Sequence, residues 1–120
     1  MEQKEKEEEK EKNKKIRTVK IVVNPQSFYL PVPSSIFSPQ DICILSYEKQ
    51  NTWKIEKVGS DDLDRTLYGI PCTVISNAGR TFLKIEKEIA EDVNFYVTDI
   101  KLYITKIVDR KTLLVKAVSF

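Results

Sequence analysis

Residues 79–89, GRTFLKIEKEI, read as a tight turn, a strand and the first turn of a helix. Residues 26–36, QSFYLPVPSSI, have the same layout earlier in the chain. In both stretches a polar turn precedes alternating or continuous apolar residues, which is the pattern of a strand packed on one face. The recurrence of one layout suggests that the chain carries the same structural unit twice.

An ungapped alignment of the chain with itself supports this duplication. A displacement of 53 residues aligns 19–37 with 72–90 and places Leu30 on Leu83. The two predicted hairpins that follow align at a displacement of 60, which places Thr52 on Thr112. Turn, strand, helix and hairpin therefore occur twice in the same order. One four-stranded copy is too small to bury a good core, so the two copies are expected to pack together as a pseudo-two-fold β-barrel or sandwich.

The N-terminal segment has a different composition. Residues 1–15 contain six Lys and six Glu, and no apolar residue after Met1. Such a segment cannot bury a core, so we predict that residues 1–16 form a disordered charged tail. Because its charges cancel, a solubilising role is favoured over a role as an interaction tail.

Composition argues against several classes of protein. The 120 residues carry a formal net charge of only +2, far from that of a protein that coats nucleic acid, although a local basic patch is compatible with it. The chain has no His, which removes the commonest general base and metal ligand. Cys43 and Cys72 lack metal-ligand spacing, and free thiols in a reducing compartment are favoured over a disulfide. No apolar run or leader is found, so we predict a cytoplasmic protein without a membrane partner.

Enzymatic activity is not expected. Asp61, Asp62 and Asp64 cluster in a predicted linker, but the spacing does not match a calcium-binding loop, and capping or solvation explains them better. With three Gly in the chain there is no Gly-rich phosphate loop, and no nucleophile has a plausible base. We predict no catalytic residue, no metal and no cofactor.

The duplicated unit resembles AbrB/MazE-type swapped-hairpin domains. The segment GRTFLKIEKEIA looks like the family's G-R-[VI]-T-I-P-K-E-I-R, with Gly79 and Arg80 on its opening pair. In the first copy Pro33 supplies the family proline, and Asp41 falls on the Asp of the family's P-G-D motif. The second copy departs from the pattern at Glu86, where proline is expected.

The resemblance covers about residues 18–118 and implies the fold. Members of this family usually dimerise by exchanging hairpins, and a tandem chain could complete the same barrel internally. We therefore expect a mainly β, internally duplicated, swapped-hairpin-like β-barrel with one or two short helices. The predicted domain spans 17–120, with repeats 18–58 and 71–118 joined by a linker at 59–70. It would be a monomer with pseudo-two-fold symmetry or a homodimer.

The resemblance also implies a DNA-binding surface. The family commonly binds operator DNA through basic side chains on turns and helix starts. Carried over to this sequence, that role falls to Arg80 and Lys87, with Lys84 beside them and Arg17 and Lys20 as nearby additions. We predict a DNA-binding transcriptional regulator of the repressor or antitoxin kind, because Arg and Lys neutralise phosphates and Arg can also read guanine.

Two alternatives remain open. The positions of the first copy that match the basic ones are uncharged, namely Ser27, Pro31 and Ser34, which is compatible with a protein-interaction module. An OB-like barrel that stacks single-stranded bases on aromatic side chains is the other alternative. Core packing is the expected role for most of the rings in question: Phe28, Tyr29, Trp53, Phe82, Tyr96 and Tyr103.

Overall fold

The computed structural model describes residues 15–59, 69–97 and 102–118. These residues form nine strands and a short helical segment. The strands are β1 (Ile16–Lys20), β2 (Val22–Val23), β3 (Ser27–Pro31), β4 (Ile42–Lys49), β5 (Thr52–Val58), β6 (Ile70–Asn77), β7 (Arg80–Glu86), β8 (Leu102–Ile107) and β9 (Thr112–Ala117). The helix α1 (Lys87–Ala90) continues into one 3₁₀ turn (Glu91–Val93).

The strands form a single antiparallel sheet that curls into a nearly closed barrel. Its order is β1-β8-β9-β5-β4-β6-β7-β3-β2. Only Ile21 separates β1 from β2, so both ends of the sheet belong to one stretch of chain. This confirms the predicted mainly β barrel with a short helix, and it differs from the five strands of an OB fold.

The two hairpins are exchanged between the halves. The β4–β5 hairpin of the first half pairs through β4 with β6 of the second half, and β8 of the second hairpin pairs with β1 of the first half. The registers agree with the displacements read from the sequence. Ile42 pairs with Thr73. The counterpart of Ile42 at a displacement of 60 is Leu102, and the counterpart of Thr73 at a displacement of 53 is Lys20. These two counterparts also pair.

The two other ladders that join the halves, β3–β7 and β5–β9, lie on the pseudo-two-fold axis. In the β3–β7 ladder Leu30 lies opposite Leu83, its counterpart at a displacement of 53. In the β5–β9 ladder Lys54 lies opposite Leu114, its counterpart at a displacement of 60. Each strand of these ladders therefore pairs with its own repeat, as expected when two copies of one unit pack around a two-fold axis.

The core fills the barrel and includes an aromatic cluster at one end. Phe95 lies 5.1 Å from Trp53 and 5.7 Å from Tyr103 between ring centroids, and all three rings are buried. The indole Nε1 of Trp53 donates a hydrogen bond of 2.8 Å to the carbonyl of Val93. Trp53 therefore ties the second hairpin strand of the first half to the helical segment of the second half.

The element boundaries correct several predictions. The predicted tail 1–16 is one residue too long, since β1 begins at Ile16, and residues 1–14 lie outside the described residues. The linker 59–70 is also one residue too long, since β6 begins at Ile70; most of it, with Asp61, Asp62 and Asp64, lies outside the described residues. The predicted short helix is α-helical over Lys87–Ala90 only; the 3₁₀ turn Glu91–Val93 follows, and Asn94, with a left-handed φ of 56°, ends that turn.

Candidate nucleic-acid interface

A proline keeps the barrel from closing completely. In the second half, β6 and β7 pair over five residues, but the equivalent β2–β3 ladder contains only two pairs. The backbone N–H of Val32 donates to Thr81 on β7, at 3.1 Å. Successive N–H groups of a strand point in opposite directions, so the nitrogen of Pro31 faces the first strand. Proline has no hydrogen to donate there, and the ladder does not extend past Val22.

A groove of about 780 Å³ lies along the seam between residues 17–23 and 31–34, where the β2–β3 ladder is interrupted. Three cationic residues, Arg17, Lys20 and Arg80, are among its lining residues, and all three are exposed. Among the residues that the structure describes, no Asp or Glu lines this groove. The groove is lined by residues 17–23, 31–34 and 79–82.

The turn between β6 and β7 holds Arg80 at one wall of the groove. Ala78 and Gly79 both adopt left-handed conformations, with φ of 51° and 77°. Two consecutive positive φ angles are the signature of the tight hairpin turn whose twist matches that of the strands. The Arg80 guanidinium carbon lies 6.0 Å from the centre of the Phe82 ring, within cation–π range, and this contact holds the arginine over the end of β7.

Lys84 shares a face of β7 with Arg80 but does not line the groove. Side chains of a strand alternate between faces, so residues 80, 82 and 84 point the same way, outward from the buried Leu83. Lys84 follows Arg80 by four residues, which corresponds to about 13 Å at the usual rise per residue of a strand. The side chain of Lys84 thus points outward and is half-buried.

Lys87 lies elsewhere. It follows the far end of β7, and its Nζ is 5.3 Å from the centre of the Phe28 ring, so it is half-buried against an aromatic face. Its backbone N–H donates to the carbonyl of Gln26 at 3.1 Å. Lys87 follows Arg80 by seven residues, which corresponds to about 23 Å along an extended strand, so the two residues do not form one cluster.

The pseudo-two-fold axis explains the separation. Because β3 and β7 run antiparallel, the turn of one half lies beside the helix start of the other half. Arg80 therefore joins residues 31–34 of the first copy, and Lys87 joins residues 26–28. The two uncharged first-copy positions Pro31 and Ser34 thus line the groove together with Arg80. Sequence reasoning treated the copies as separate surfaces; the proline within a strand was the signal that could have located the groove.

Most of the six aromatic side chains singled out in the sequence are not exposed for stacking. Phe28, Trp53, Phe82 and Tyr103 are buried. Tyr29 is half-buried and meets Phe82 edge-on at 6.5 Å, and Tyr96 is exposed. Most of these rings serve the core, as expected.

Asp41, predicted from the resemblance as the family Asp, has a structural role in this fold. Its Oδ2 accepts a 2.8 Å hydrogen bond from the Ser38 backbone N–H and lies 3.4 Å from the Nζ of Lys57. Asp99, at the matching place in the second copy, lies outside the described residues.

Three further observations bear on the nature of the protein. Among residues 15–59, 69–97 and 102–118, no group of three His, Cys, Asp or Glu side chains is placed to hold a metal ion. No helix in the same ranges is long and apolar enough to cross a membrane. Searches with protein-family models, and comparisons with curated proteins and with solved structures, find no match to this chain.

Proposed function

We propose that this protein is a small cytoplasmic DNA-binding regulator of the swapped-hairpin kind, and that its groove contacts the phosphates of double-stranded DNA. The observation that carries the proposal is that three cationic residues, Arg17, Lys20 and Arg80, line one groove, and that none of its described lining residues is acidic. Two of them come from the first strand and one from the β6–β7 turn, so both halves of the chain contribute.

The local charge supports this proposal better than the total charge does. A net charge of +2 gives little long-range attraction, but three cations along one groove attract a polyanion locally. Guanidinium groups donate in a fork that fits phosphate oxygens, and hydroxyl groups of Thr18, Thr81 and Ser34 in the same groove are further donors to a backbone. Lys84 and Lys87 lie outside the groove and would add at most secondary contacts.

A protein partner is the second candidate, and the seam itself favours it. The β2–β3 ladder stops at Val22, where an extended peptide could add a strand, and Val22 and Val23 are 51% and 42% exposed. The cations would then select an acidic peptide. This candidate requires the same groove, so binding experiments with DNA decide between the two.

The test is fluorescence anisotropy of a labelled duplex titrated with the full chain at several salt concentrations. The key variant is Arg17→Ala/Lys20→Ala/Arg80→Ala. The matched control is Lys49→Ala/Lys106→Ala/Lys116→Ala, which removes three exposed lysines outside the groove. It has the same net charge as the groove variant.

We expect affinity to fall as salt rises. The slope of log K against log salt should be shallower in the groove variant, by about 0.9 for each phosphate that the variant no longer neutralises. The control variant should keep most of the wild-type affinity. Equal decreases in affinity in both variants would show non-specific attraction and reject the groove. Absence of binding at low salt would reject DNA as the partner and leave the acidic peptide.

A further inference from the structure

A second cavity, of about 340 Å³, opens at the tip of the β4–β5 hairpin. It shares no lining residue with the basic groove. Four of its eight lining residues are aromatic, three are carboxamides and none is charged. They are Tyr47, Gln50, Asn51, Trp53, Asn94, Tyr96, Tyr103 and Ala117.

The inner wall of this cavity is rigid. Trp53 and Tyr103 are buried, with their ring centres 6.5 Å apart. The indole N–H of Trp53 is already donated to the Val93 carbonyl, which fixes the orientation of its ring. The backbone N–H of Ala117 donates to the carbonyl of Asn51 at 2.8 Å and anchors the hairpin tip beside β9.

Two exposed tyrosines flank that wall. Tyr47 meets Trp53 edge-on at 6.2 Å and is 44% exposed, and Tyr96 is 57% exposed. Large aromatic side chains usually bury their rings, and here two rings stay open to solvent beside a buried tryptophan. They offer apolar ring surface on which a flat ligand can stack.

The polar lining selects the chemical class of ligand. Gln50, Asn51 and Asn94 each carry a donor and an acceptor side by side, and Asn51 and Asn94 are held in left-handed backbone conformations, with φ of 60° and 56°. Within the part of the chain that the structure describes, the lining includes no cation for an anionic ligand and no carboxylate for a cationic one. A neutral, flat ligand whose edge alternates donors and acceptors fits this lining, and unpaired nucleobases have that chemistry.

We propose that this cavity binds one unpaired nucleobase, stacked on Tyr96, the more exposed of the two tyrosines, and hydrogen-bonded by the carboxamides. As to its biological ligand, the proposal rests on the proposed nucleic-acid function. It adds to that function a contact with a base that is separate from the contacts with phosphates. Binding of a free nucleoside tests it without any phosphate.

Trp53 is the only tryptophan of the chain and lies in the cavity, so its fluorescence reports the site directly. The probes are adenosine, guanosine, cytidine and thymidine, each titrated into the full chain, with methyl glucoside as a non-planar control. The variants are Tyr96→Ala and the matched Tyr96→Phe, which keeps the ring. Tyr96 is exposed, so neither change should affect folding, and circular dichroism checks this.

We expect a saturable change in Trp53 fluorescence with at least one nucleoside. Tyr96→Ala should weaken binding about fivefold or more, the usual minimum for removal of one stacking partner, while Tyr96→Phe should retain it. Three results would overturn the proposal: no saturable response to any nucleoside, an equal response to methyl glucoside, or equal affinities for Tyr96→Ala and the wild type. The Arg17→Ala/Lys20→Ala/Arg80→Ala variant should bind nucleoside as the wild type does. A failure of the DNA-binding proposal for the groove can therefore be told apart from a failure of the nucleobase proposal for the cavity.

Discussion

Leu30 and Leu83 lie directly opposite each other in the β3–β7 ladder, and both are completely buried. They are also the two residues that the 53-residue displacement places on each other. The pseudo-two-fold axis therefore passes between two copies of the same side chain. Their environments are equivalent by symmetry, although the surrounding sequences differ.

This equivalence predicts similar effects of truncation at the two sites. Leu30→Ala and Leu83→Ala should each lower the free energy of unfolding by about 2–5 kcal/mol, because each removes buried methyl groups from a closed core. Since the two side chains are in one ladder pair, the double variant should deviate from the sum of the single effects. Urea denaturation measures the free energy of unfolding of the two single variants and the double variant. A decrease at one site several times larger than at the other would contradict the symmetric core.

The missing hydrogen at Pro31 predicts that a residue with an N–H would extend the β2–β3 ladder. In Pro31→Val, the new amide at position 31 should point at the first strand and be protected from hydrogen exchange. Pro71→Val is the control, since β6 pairs with β7 only from Thr73 onward and an amide at position 71 points beyond that ladder. Amide exchange measured by NMR compares the two. Fast exchange at position 31 would show that the proline is not what interrupts the seam.

Burial of two opposed thiols predicts a loss of stability in alkali. Cys43 and Cys72 form a pair in the β4–β6 ladder as buried free thiols, and burial raises the pKa of each from 9.0 to about 12. The unfolded chain loses these protons above about pH 9 while the folded chain keeps them. The contribution of these thiols to stability should therefore be constant below that pH and fall between about pH 9 and 12, by up to about 1.4 kcal/mol per pH unit for each thiol.

Denaturation curves collected across that range test this dependence. In Cys43→Ala/Cys72→Ala the fall should be shallower, whatever the stability of the variant at neutral pH. Burial also raises the pKa of Tyr103 to about 12, so part of the alkaline destabilisation should persist in the variant. Identical slopes in the two proteins would contradict the assignment to the thiols.

Two glycines are predicted to resist substitution for different reasons. A Cβ at Gly69 would lie 2.6 Å from Ile44 Cγ2 and 2.6 Å from the carbonyl oxygen of Leu45, and a backbone atom cannot move aside cheaply. Gly79 has no atom within 4 Å of a Cβ but has a φ of 77°. Gly69→Ala should therefore cost about 1–3 kcal/mol through overpacking, and Gly79→Ala about 1–2 kcal/mol through backbone strain.

Asparagine separates the two causes. It tolerates the left-handed conformation, so Gly79→Asn should be less destabilising than Gly79→Ala, whereas Gly69→Asn should be more destabilising than Gly69→Ala. Thermal unfolding of the four variants gives the comparison. The reverse order at position 69 would mean that the contact with Leu45 is relieved by a small shift of the strand.

Local patterns in the sequence were sufficient to locate the strands and to reveal the duplication. Strand β5 (Thr52–Val58) belongs to one of the two hairpins that the sequence predicted, because alternation of buried and exposed side chains is a property of a strand itself. Gly79, in the turn between β6 and β7, likewise favours the left-handed conformation that the turn requires. The displacements of 53 and 60 describe the observed registers because equivalent residues occupy equivalent places in the ladders.

Only the tertiary structure decided which residues form a site. The sequence placed Arg80, Lys84 and Lys87 on one short segment, but the antiparallel crossing of β3 and β7 sends Arg80 to the Pro31–Ser34 side and Lys87 to the Gln26 side. The aromatic and carboxamide cavity combines a hairpin tip, the residues after the 3₁₀ turn and two distant strands. Such neighbours depend on pairing between residues far apart in the chain, and local propensity and periodicity contain no information about that pairing.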